Sequence, residues 1–281
     1  MVSSSHKIFF SIIIPTIKSP LNLKKLIKEI LDQNKGNFKY EIIIVVQGEK
    51  KNIRFPKQLK RFKVIYSQKK GLSLAKNIGI KKSKGDYLIF LDDDVSIKNN
   101  FLVKIKKIID RKPECSLIFG NILINNTKKN FKKIFFIREK FINIFNFENC
   151  LASAMIMKKE NKKYFDINFG LGAKFYSGEE TDLVLRYLKN RAKILFTPEI
   201  KIFHPEIKDH DLEKFINYGK GNIILLKKHL RKNKIFLIFI ILSVIKSIIL
   251  ILYSIFKVDV FYLKKNYFFL NGKIKSFFND K

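Results

Sequence analysis

The chain has 281 residues, 57 of them Lys or Arg and 24 Asp or Glu, for a net charge of +33. That length holds one large α/β domain or a domain with an appendage, and a hydrophobic content of 47% can supply a sizeable core. Two cysteines, Cys115 and Cys150, at no metal-ligand spacing, argue against a disulfide framework or a zinc site and fit a reducing compartment.

A charge of this size attracts polyanions: nucleic acid, anionic lipid head groups or phosphorylated substrates. Lys, Ile, Asn and Phe are abundant throughout, so part of the excess also fits a compositional bias. The basic residues are spread evenly and form no recognisable nucleic-acid module. Nucleic-acid binding is therefore an alternative supported by charge alone. No secretory signal is evident, because the apolar stretch at Ile8–Ile14 is short, is interrupted by Ser11 and stops at Pro15.

In chain order, Ile8–Ile14 reads as a first strand ending at Pro15-Thr16. Leu23, Leu26, Ile27, Ile30 and Leu31 recur at helical spacing, which predicts a helix over Pro20–Leu31. The β-branched run Tyr40–Val46 is a second strand, stopping at Gln47-Gly48, and Phe62–Tyr66 a third. A helix is expected over Gly71–Ile80, with Ser73 as its cap, and a fourth strand over Tyr87–Leu91. Strand, helix, strand in this order implies right-handed crossovers and a parallel sheet. No Gly-x-Gly-x-x-Gly follows the first strand, which argues against an ordinary dinucleotide fold.

The fourth strand runs directly into Asp92, Asp93 and Asp94. Parallel strands bind ligands at their carboxyl edge, and three adjacent anions repel one another unless a cation relieves them. Hard oxygen ligands suit Mg²⁺ or Mn²⁺, which also bind a substrate phosphate; a solvated acidic turn is the bland alternative.

Further on, Phe101–Ile109 reads as a helix closed by Pro113, and Leu117–Ile124 as a strand. Asn125–Asn149 is basic, Phe-rich and without a period, so it reads as a helical or loop excursion. Leu151–Met157 is expected as a strand. Glycines 170, 172 and 178 mark a loop, and Thr181–Asn190 reads as a helix with an acidic first turn. Lys193–Phe196 and Ile200–Phe203 read as separate strands on either side of Pro198. Tyr218-Gly219-Lys220-Gly221 reads as a mobile loop or a helix break.

Taken together, these pieces resemble a family-2 glycosyltransferase of the GT-A fold. The resemblance rests on Ser11-Ile-Ile-Ile-Pro-Thr16, Gly71-Leu-Ser-Leu-Ala-Lys-Asn-Ile-Gly79, Gly85–Asp94, Phe165-Asp166, Gly170–Ala173, Gly178-Glu-Glu-Thr-Asp-Leu183 and Pro198 to His204, in order over about residues 8–205. It implies a Rossmann-like α/β fold with a mostly parallel sheet, over a catalytic domain expected at 1–222. It implies that Asp92 and Asp94, with His204 nearby, hold Mg²⁺ or Mn²⁺, and that Asp93 faces the ribose. By the same resemblance, Pro15, Thr16, Lys76 and Asn77 contact the nucleotide. Glu180 stands where the family has its catalytic base, with Asp182 and Glu179 as the next candidates, and transfer would invert the anomeric carbon. Lys76 replaces the more usual Arg, which keeps the charge and loses the bidentate fork.

Where the family's second strand commonly ends in an Asp that reads the base, this chain has Val46-Gln47. That leaves Gln47 as an amide contact or none, and leaves the nucleotide open, with a UDP-sugar expected. A catalytically inactive sugar-nucleotide-binding protein is the reading this departure keeps alive. The acceptor implied is a glycan or a lipid-linked sugar, as in surface-polysaccharide synthesis.

Residues 223–281 form a basic, apolar C-terminal region. Ile235–Phe256 is 22 residues long and apolar apart from Lys246 and a few hydroxyls, so as a helix it measures roughly 33 Å and could cross a bilayer. Lys227, Lys228, Arg231, Lys232 and Lys234 precede it and place that side against the anionic cytoplasmic face of the membrane. The tail after it is also basic, so a single pass and an in-plane or re-entrant arrangement both remain open.

Overall fold

The structure, a computed structural model, describes residues 8–17, 21–33, 38–48, 62–125, 138–206 and 211–278. The described chain resolves into two compact units. One comprises Met1–Phe165 with Glu180–Glu206, the other Asp166–Glu179 with Ile207–Lys281. The domain boundary expected at residue 222 falls inside a helix of the second unit.

The first unit is an α/β sheet built on β1 (Phe9–Thr16), β2 (Lys39–Gln47), β3 (Phe62–Ser67) and β4 (Tyr87–Phe90), in the order β3-β2-β1-β4 and all parallel. Ile12, Ile13 and Ile14 of β1 are fully buried, as are Ile42 to Val45 of β2. Strands covered on both faces are apolar along most of their length, which is why Ile12–Ile14 and Ile42–Val46 read as hydrophobic runs beside the buried polar residues Ser11 and Glu41. Helices α1 (Leu21–Leu31) and α2 (Leu72–Lys82) make the crossovers. α1 buries Leu23, Leu26, Ile27 and Ile30, the positions its period predicts. α2 starts after Gly71, whose φ of 144° only glycine takes readily, and Ser73 lies buried within the helix instead of capping it.

Beyond β4 the sheet becomes mixed. The order continues β8 (Met155–Lys158), β6 (Cys115–Ile124), β9 (Lys193–His204) and β5 (Ser96–Ile97), and β7 (Lys140–Phe141) also pairs β9. β8 runs antiparallel to β4 and to β6, while β6 and β9 are parallel. Helix α3 (Phe101–Arg111) and helix α4 (Glu179–Lys189) flank these strands in sequence.

Several expectations are corrected here. The two strands expected either side of Pro198 are one strand, β9. Its residues between Phe196 and Lys201 bulge opposite the single residue between Phe119 and Asn121, and Pro198 sits in that bulge, where no ladder N–H is required. A Cβ on Gly120 would lie 2.8 Å from the Ile200 carbonyl oxygen, so β9 resumes pairing directly over that glycine. The strand expected from Leu151 begins only at Met155, after a 3₁₀ turn at Ala152–Ala154. Within 125–149 the structure shows β7 and a 3₁₀ turn at Phe147–Asn149, and residues 126–137 lie outside the described residues.

The second unit contains α5 (Glu213–Leu230), α6 (Ile235–Phe256) and α7 (Val260–Phe278). Gly219 and Gly221, read above as a loop or break, lie inside α5. A Cβ at Gly219 would meet the Phe269 carbonyl oxygen at 2.1 Å, and one at Gly221 the Ser177 hydroxyl at 2.6 Å. The two glycines are packing contacts. The basic stretch after Phe256, expected as a tail, is the helix α7.

The β1–β4 register is clamped at its start. Gly85 N donates to Ser11 Oγ at 2.8 Å, Ser11 Oγ donates to Glu41 Oε1 at 2.7 Å, and Lys84 N donates to the same oxygen at 2.6 Å. Asp86 closes the turn, its N–H donating to Phe9 O at 2.6 Å and its carboxylate accepting from Phe9 N at 2.8 Å. Lys63 Nζ reaches the other Glu41 oxygen at 2.5 Å. Burial alone would raise the Glu41 pKa, but the Lys63 ammonium, the Ser11 hydroxyl and the Lys84 amide outweigh it and hold the carboxyl below its ordinary value.

A Cβ on Gly85 would lie 2.5 Å from Ser11 N and 2.7 Å from Phe9 O. Gly85→Ala should therefore cost about 2–3 kcal/mol in urea unfolding, and an unchanged midpoint would show that the turn yields freely. Glu41 has a depressed folded-state pKa, so its contribution is complete above the unfolded value of 4.5 and is lost as pH falls through the lower, folded one. Glu41→Gln should cost about 1–3 kcal/mol at pH 7 and flatten the acid limb of the stability curve. A parallel acid limb in wild type and variant would contradict this.

Candidate active site

The parallel strands β1 and β4 end on the same edge. Their register pairs Phe10 with Tyr87 and Ile13 with Phe90, and Leu91 N donates to Ile13 O at 3.1 Å. Carried three residues further, that register sets Thr16 opposite Asp93, and the Thr16 hydroxyl donates to the Asp93 carboxylate. Pro15 lies beside it, buried and paired with Val45.

Antiparallel β8 begins at Met155, opposite Phe90, so the turn before it lies at the same edge. From that turn Ser153 donates its hydroxyl to Asp92. β9 arrives by a third route. The two-residue strand β5, just past the acids, pairs antiparallel with its end, Ser96 facing Phe203. This brings His204 Nε2 to 3.5 Å from Asp94 Oδ1. Three aspartates in a row thus meet three different segments.

The three acids are half-buried. Burial, reinforced by the charges of Asp94 and Asp92, pushes the Asp93 carboxyl up to about 6, against the opposing hydrogen bond from Thr16. Asp94 is raised as well, by burial and by Asp92, while His204 pulls it the other way. The cluster is strained electrostatically in the direction that a cation would relieve.

His204 Nδ1 lies 2.7 Å from the Pro205 carbonyl oxygen. A carbonyl only accepts, so Nδ1 carries a proton, and Nε2 is the ring nitrogen turned toward Asp94. The imidazole nitrogen and the carboxylate oxygen lie 3.5 Å apart, and both are ligand types that Mn²⁺ or Mg²⁺ accepts, with the backbone carbonyl orienting the ring. Among the described residues, no three His, Cys, Asp or Glu side chains form a ready metal cage. An Asp–His pair is nevertheless a workable protein contribution for Mg²⁺ or Mn²⁺, which take several of their ligands from water and substrate phosphate. Asp92 adds charge nearby while its carboxylate receives Ser153.

The remaining predicted residues brace this edge. Gln47, buried at the end of β2, accepts the Gly71 N–H at 2.8 Å and so fixes the entry to α2. Lys76 is 1% exposed, with its ammonium 5.1 Å from the Phe165 ring centroid. Asn77 grips the Phe165 backbone twice, donating to its carbonyl at 2.9 Å and accepting its N–H at 2.8 Å. Phe165 in turn stands edge-on to Phe90, two residues before Asp92, with ring centroids 5.6 Å apart.

On α4, Glu180 is half-buried in the first turn, and Glu179 is buried. Asp182 is fully buried and accepts from Arg186 Nε at 2.8 Å, while Arg186 Nη2 donates to the Tyr164 carbonyl at 2.7 Å. Asp182 is thereby tied into the packing of its helix. Ser153 is the residue that sequence reasoning missed. A serine between two alanines has no signal of its own, and its place depends on antiparallel pairing between segments some sixty residues apart.

A family model described as glycosyl transferase family 2 matches residues 11–165. An uncharacterized glycosyltransferase from Rickettsia bellii is 34% identical over 101 residues, covering 34% of this chain and 14% of that protein. The poly(ribitol-phosphate) beta-N-acetylglucosaminyltransferase TarP of Staphylococcus aureus is 27% identical over 159 residues, covering 54% of this chain and 48% of TarP. The chain spans less than half the length of these relatives. Among solved structures, residues 1–349 of S. aureus TarS share the fold at a TM-score of 0.58 and 16% identity, covering 79% of this chain and 65% of that one. The same TarS fragment in complex with UDP-GlcNAc matches at a TM-score of 0.55.

Proposed function

The chain belongs to glycosyl transferase family 2, and from that premise we propose that it is an inverting, metal-dependent transferase. It would move a sugar from a nucleotide diphosphate donor to a glycan or lipid-linked acceptor in cell-surface polysaccharide synthesis, at the cytoplasmic face of a membrane. One observation carries the reading: Asp92, Asp93 and Asp94 converge with His204 and Thr16 at the carboxyl edge of the sheet. UDP-GlcNAc, the donor named for the TarS complex, makes a UDP-sugar the first donor to try.

In this reading Asp94 and His204 hold the Mg²⁺ or Mn²⁺ ion, with Asp92 beside them. Such an ion, when bound, neutralises the charge that grows on the departing diphosphate. Thr16 holds one Asp93 oxygen and so orients that carboxylate toward the ribose. Pro15 and Thr16 line the nucleotide side, and Gln47, its carbonyl oxygen engaged by Gly71, has only its amide nitrogen to offer a base. Lys76 acts as a positive charge behind Phe165, whose backbone Asn77 fixes.

Glu180 is the proposed base. It takes the proton of the acceptor hydroxyl at a carboxylate oxygen as that hydroxyl attacks opposite the leaving group, which inverts the anomeric carbon. Its partial exposure suits that task. The complete burial of Asp182 and its pairing with Arg186 favour a bracing role instead, and Glu179 is likewise buried.

Two variants test these roles. Loss of several kcal/mol of leaving-group stabilisation corresponds to a drop of about 100- to 1,000-fold. Asp94→Ala should show that drop in sugar transfer, together with loss of Mn²⁺ binding followed by electron paramagnetic resonance. Undiminished Mn²⁺ binding in this variant would remove Asp94 from the metal site. Glu180→Gln should still bind donor and transfer about 10²- to 10⁴-fold more slowly. Transfer at the wild-type rate would exclude Glu180 as the base.

A further inference from the structure

In the second unit, α6 turns a polar face inward and an aliphatic face outward. Lys273 of α7 is 3% exposed, and its ammonium donates to Ser243 O at 2.6 Å and Ser247 Oγ at 2.8 Å on α6. One stretch along, Asn266 Nδ2 donates to Ser254 Oγ at 3.2 Å. These contacts pair α6 and α7 antiparallel through a polar seam. On the far side of α6, Leu237, Ile241, Ile245, Ile248 and Leu252 are 44–60% exposed. A helix in water turns these two faces the other way round. Small residues allow the backbones to touch, since a Cβ at Gly272 would lie 2.0 Å from the Ile216 carbonyl oxygen of α5. Polar seams and glycine contacts inside, with aliphatic residues outside, match helices whose surroundings are hydrocarbon.

Two features decide how such a unit meets a bilayer. Lys246 lies at the middle of α6 and is exposed. On a helix that crosses, it would sit at the bilayer centre, where a charge is most costly. At 100° per residue the exposed apolar arc of α6 is roughly 160° wide, and Lys246 falls at its margin, roughly 100° from its centre. A helix lying in the plane of a leaflet would hold such a residue at the waterline, within reach of anionic phosphates.

The second feature is α5. It packs along α7, with Phe215 5.0 Å from the Lys265 ammonium near one end and Lys227 Nζ donating to Phe277 O at 2.8 Å near the other. Its Asn222 accepts the Ser243 hydroxyl at 2.7 Å, so α5 lies on the seam side of α6, away from the exposed arc. α5 also carries Lys214, Lys220 and Lys228, and Lys228 pairs with Asp166 at 2.8 Å. A crossing α6 would carry these charges into hydrocarbon. An immersed α6–α7 layer leaves them in water.

We propose that α6, with α7 beside it, lies in the plane of one anionic leaflet as a monotopic anchor and does not cross the bilayer. Acyl chains cover the exposed arc, and Lys246 meets the phosphates at its rim. The inference rests on the membrane association proposed above and settles its mode.

The full chain is added to sealed vesicles of phosphatidylethanolamine and phosphatidylglycerol, and Lys234→Cys and Lys257→Cys are probed with a membrane-impermeant maleimide. Those positions flank α6. An in-plane helix leaves both open to reagent on the side of addition. Protection of Lys257→Cys until detergent is added means that α6 crosses, and overturns the proposal. Ile241→Glu combined with Ile245→Glu, which spares the seam, should lower the fraction floating with vesicles roughly tenfold or more while the far-ultraviolet circular dichroism of the chain is retained. Equal flotation of this variant, or a wild-type chain that ignores vesicles and dimerises through the arc, also overturns it. Flotation and labelling require no sugar transfer, so a failure of the catalytic reading leaves this test intact.

Discussion

The candidate site depends on the register between β1 and β4. A parallel pair can slip by one residue and still bury aliphatic side chains, because both strands are apolar on both faces. The turn at Lys84–Asp86 removes that freedom. Gly85 lies so close to the start of β1 that no side chain fits, and the Ser11–Glu41–Lys84 relay ties its N–H groups to two neighbouring strands. With the start fixed, Thr16 falls opposite Asp93 six residues later. A slip of one position would present it to Asp92 or Asp94 instead. The buried polar cluster far from the acids is thus a positioning device for them.

Electrostatics then separates three chemically identical residues. Each aspartate meets a different partner: a hydroxyl from a turn for Asp92, a hydroxyl from the strand end for Asp93, an imidazole for Asp94. Asp93 and Asp94 are raised by burial and by their neighbours' charge, so the trio is held in a state that favours positive charge nearby. The Asp94–His204 pair is the part of that arrangement oriented by a backbone carbonyl. In the proposed function this division of labour assigns metal binding to one acid and ribose contact to another.

The second unit follows a different rule. Its helices spend their hydrogen-bonding groups on one another and leave aliphatic surface outward. In the proposed anchor, hydrocarbon is the surrounding that makes such an arrangement favourable. A central lysine at the margin of the apolar arc is tolerable when the helix lies flat and expensive when it stands upright.

Much of the first unit could be read from the chain directly. β1, β2 and β4 carry apolar runs at Ile12–Ile14, Ile42–Val46 and Tyr87–Phe90, α1 keeps a 3.6-residue apolar period, and the acidic trio directly follows a strand. Local chemistry determines these features, so local sequence reports them. The rest was decided by pairing at a distance. β5 is a two-residue strand that exists because β9 lies beside it, and it is β5 that delivers His204 to Asp94. β9 runs through Pro198 because a bulge absorbs it opposite Gly120. Ser153 reaches Asp92 only through antiparallel pairing of β8 with β4. α7 has a weak apolar period because its lysine and asparagine turn inward to partners on α6, which the amino acids of α7 alone cannot announce. Composition and order thus determined which residues were available for a site and for an exposed apolar helix face. Tertiary pairing decided which of them meet, since a hydrogen bond between distant segments is encoded in neither one alone.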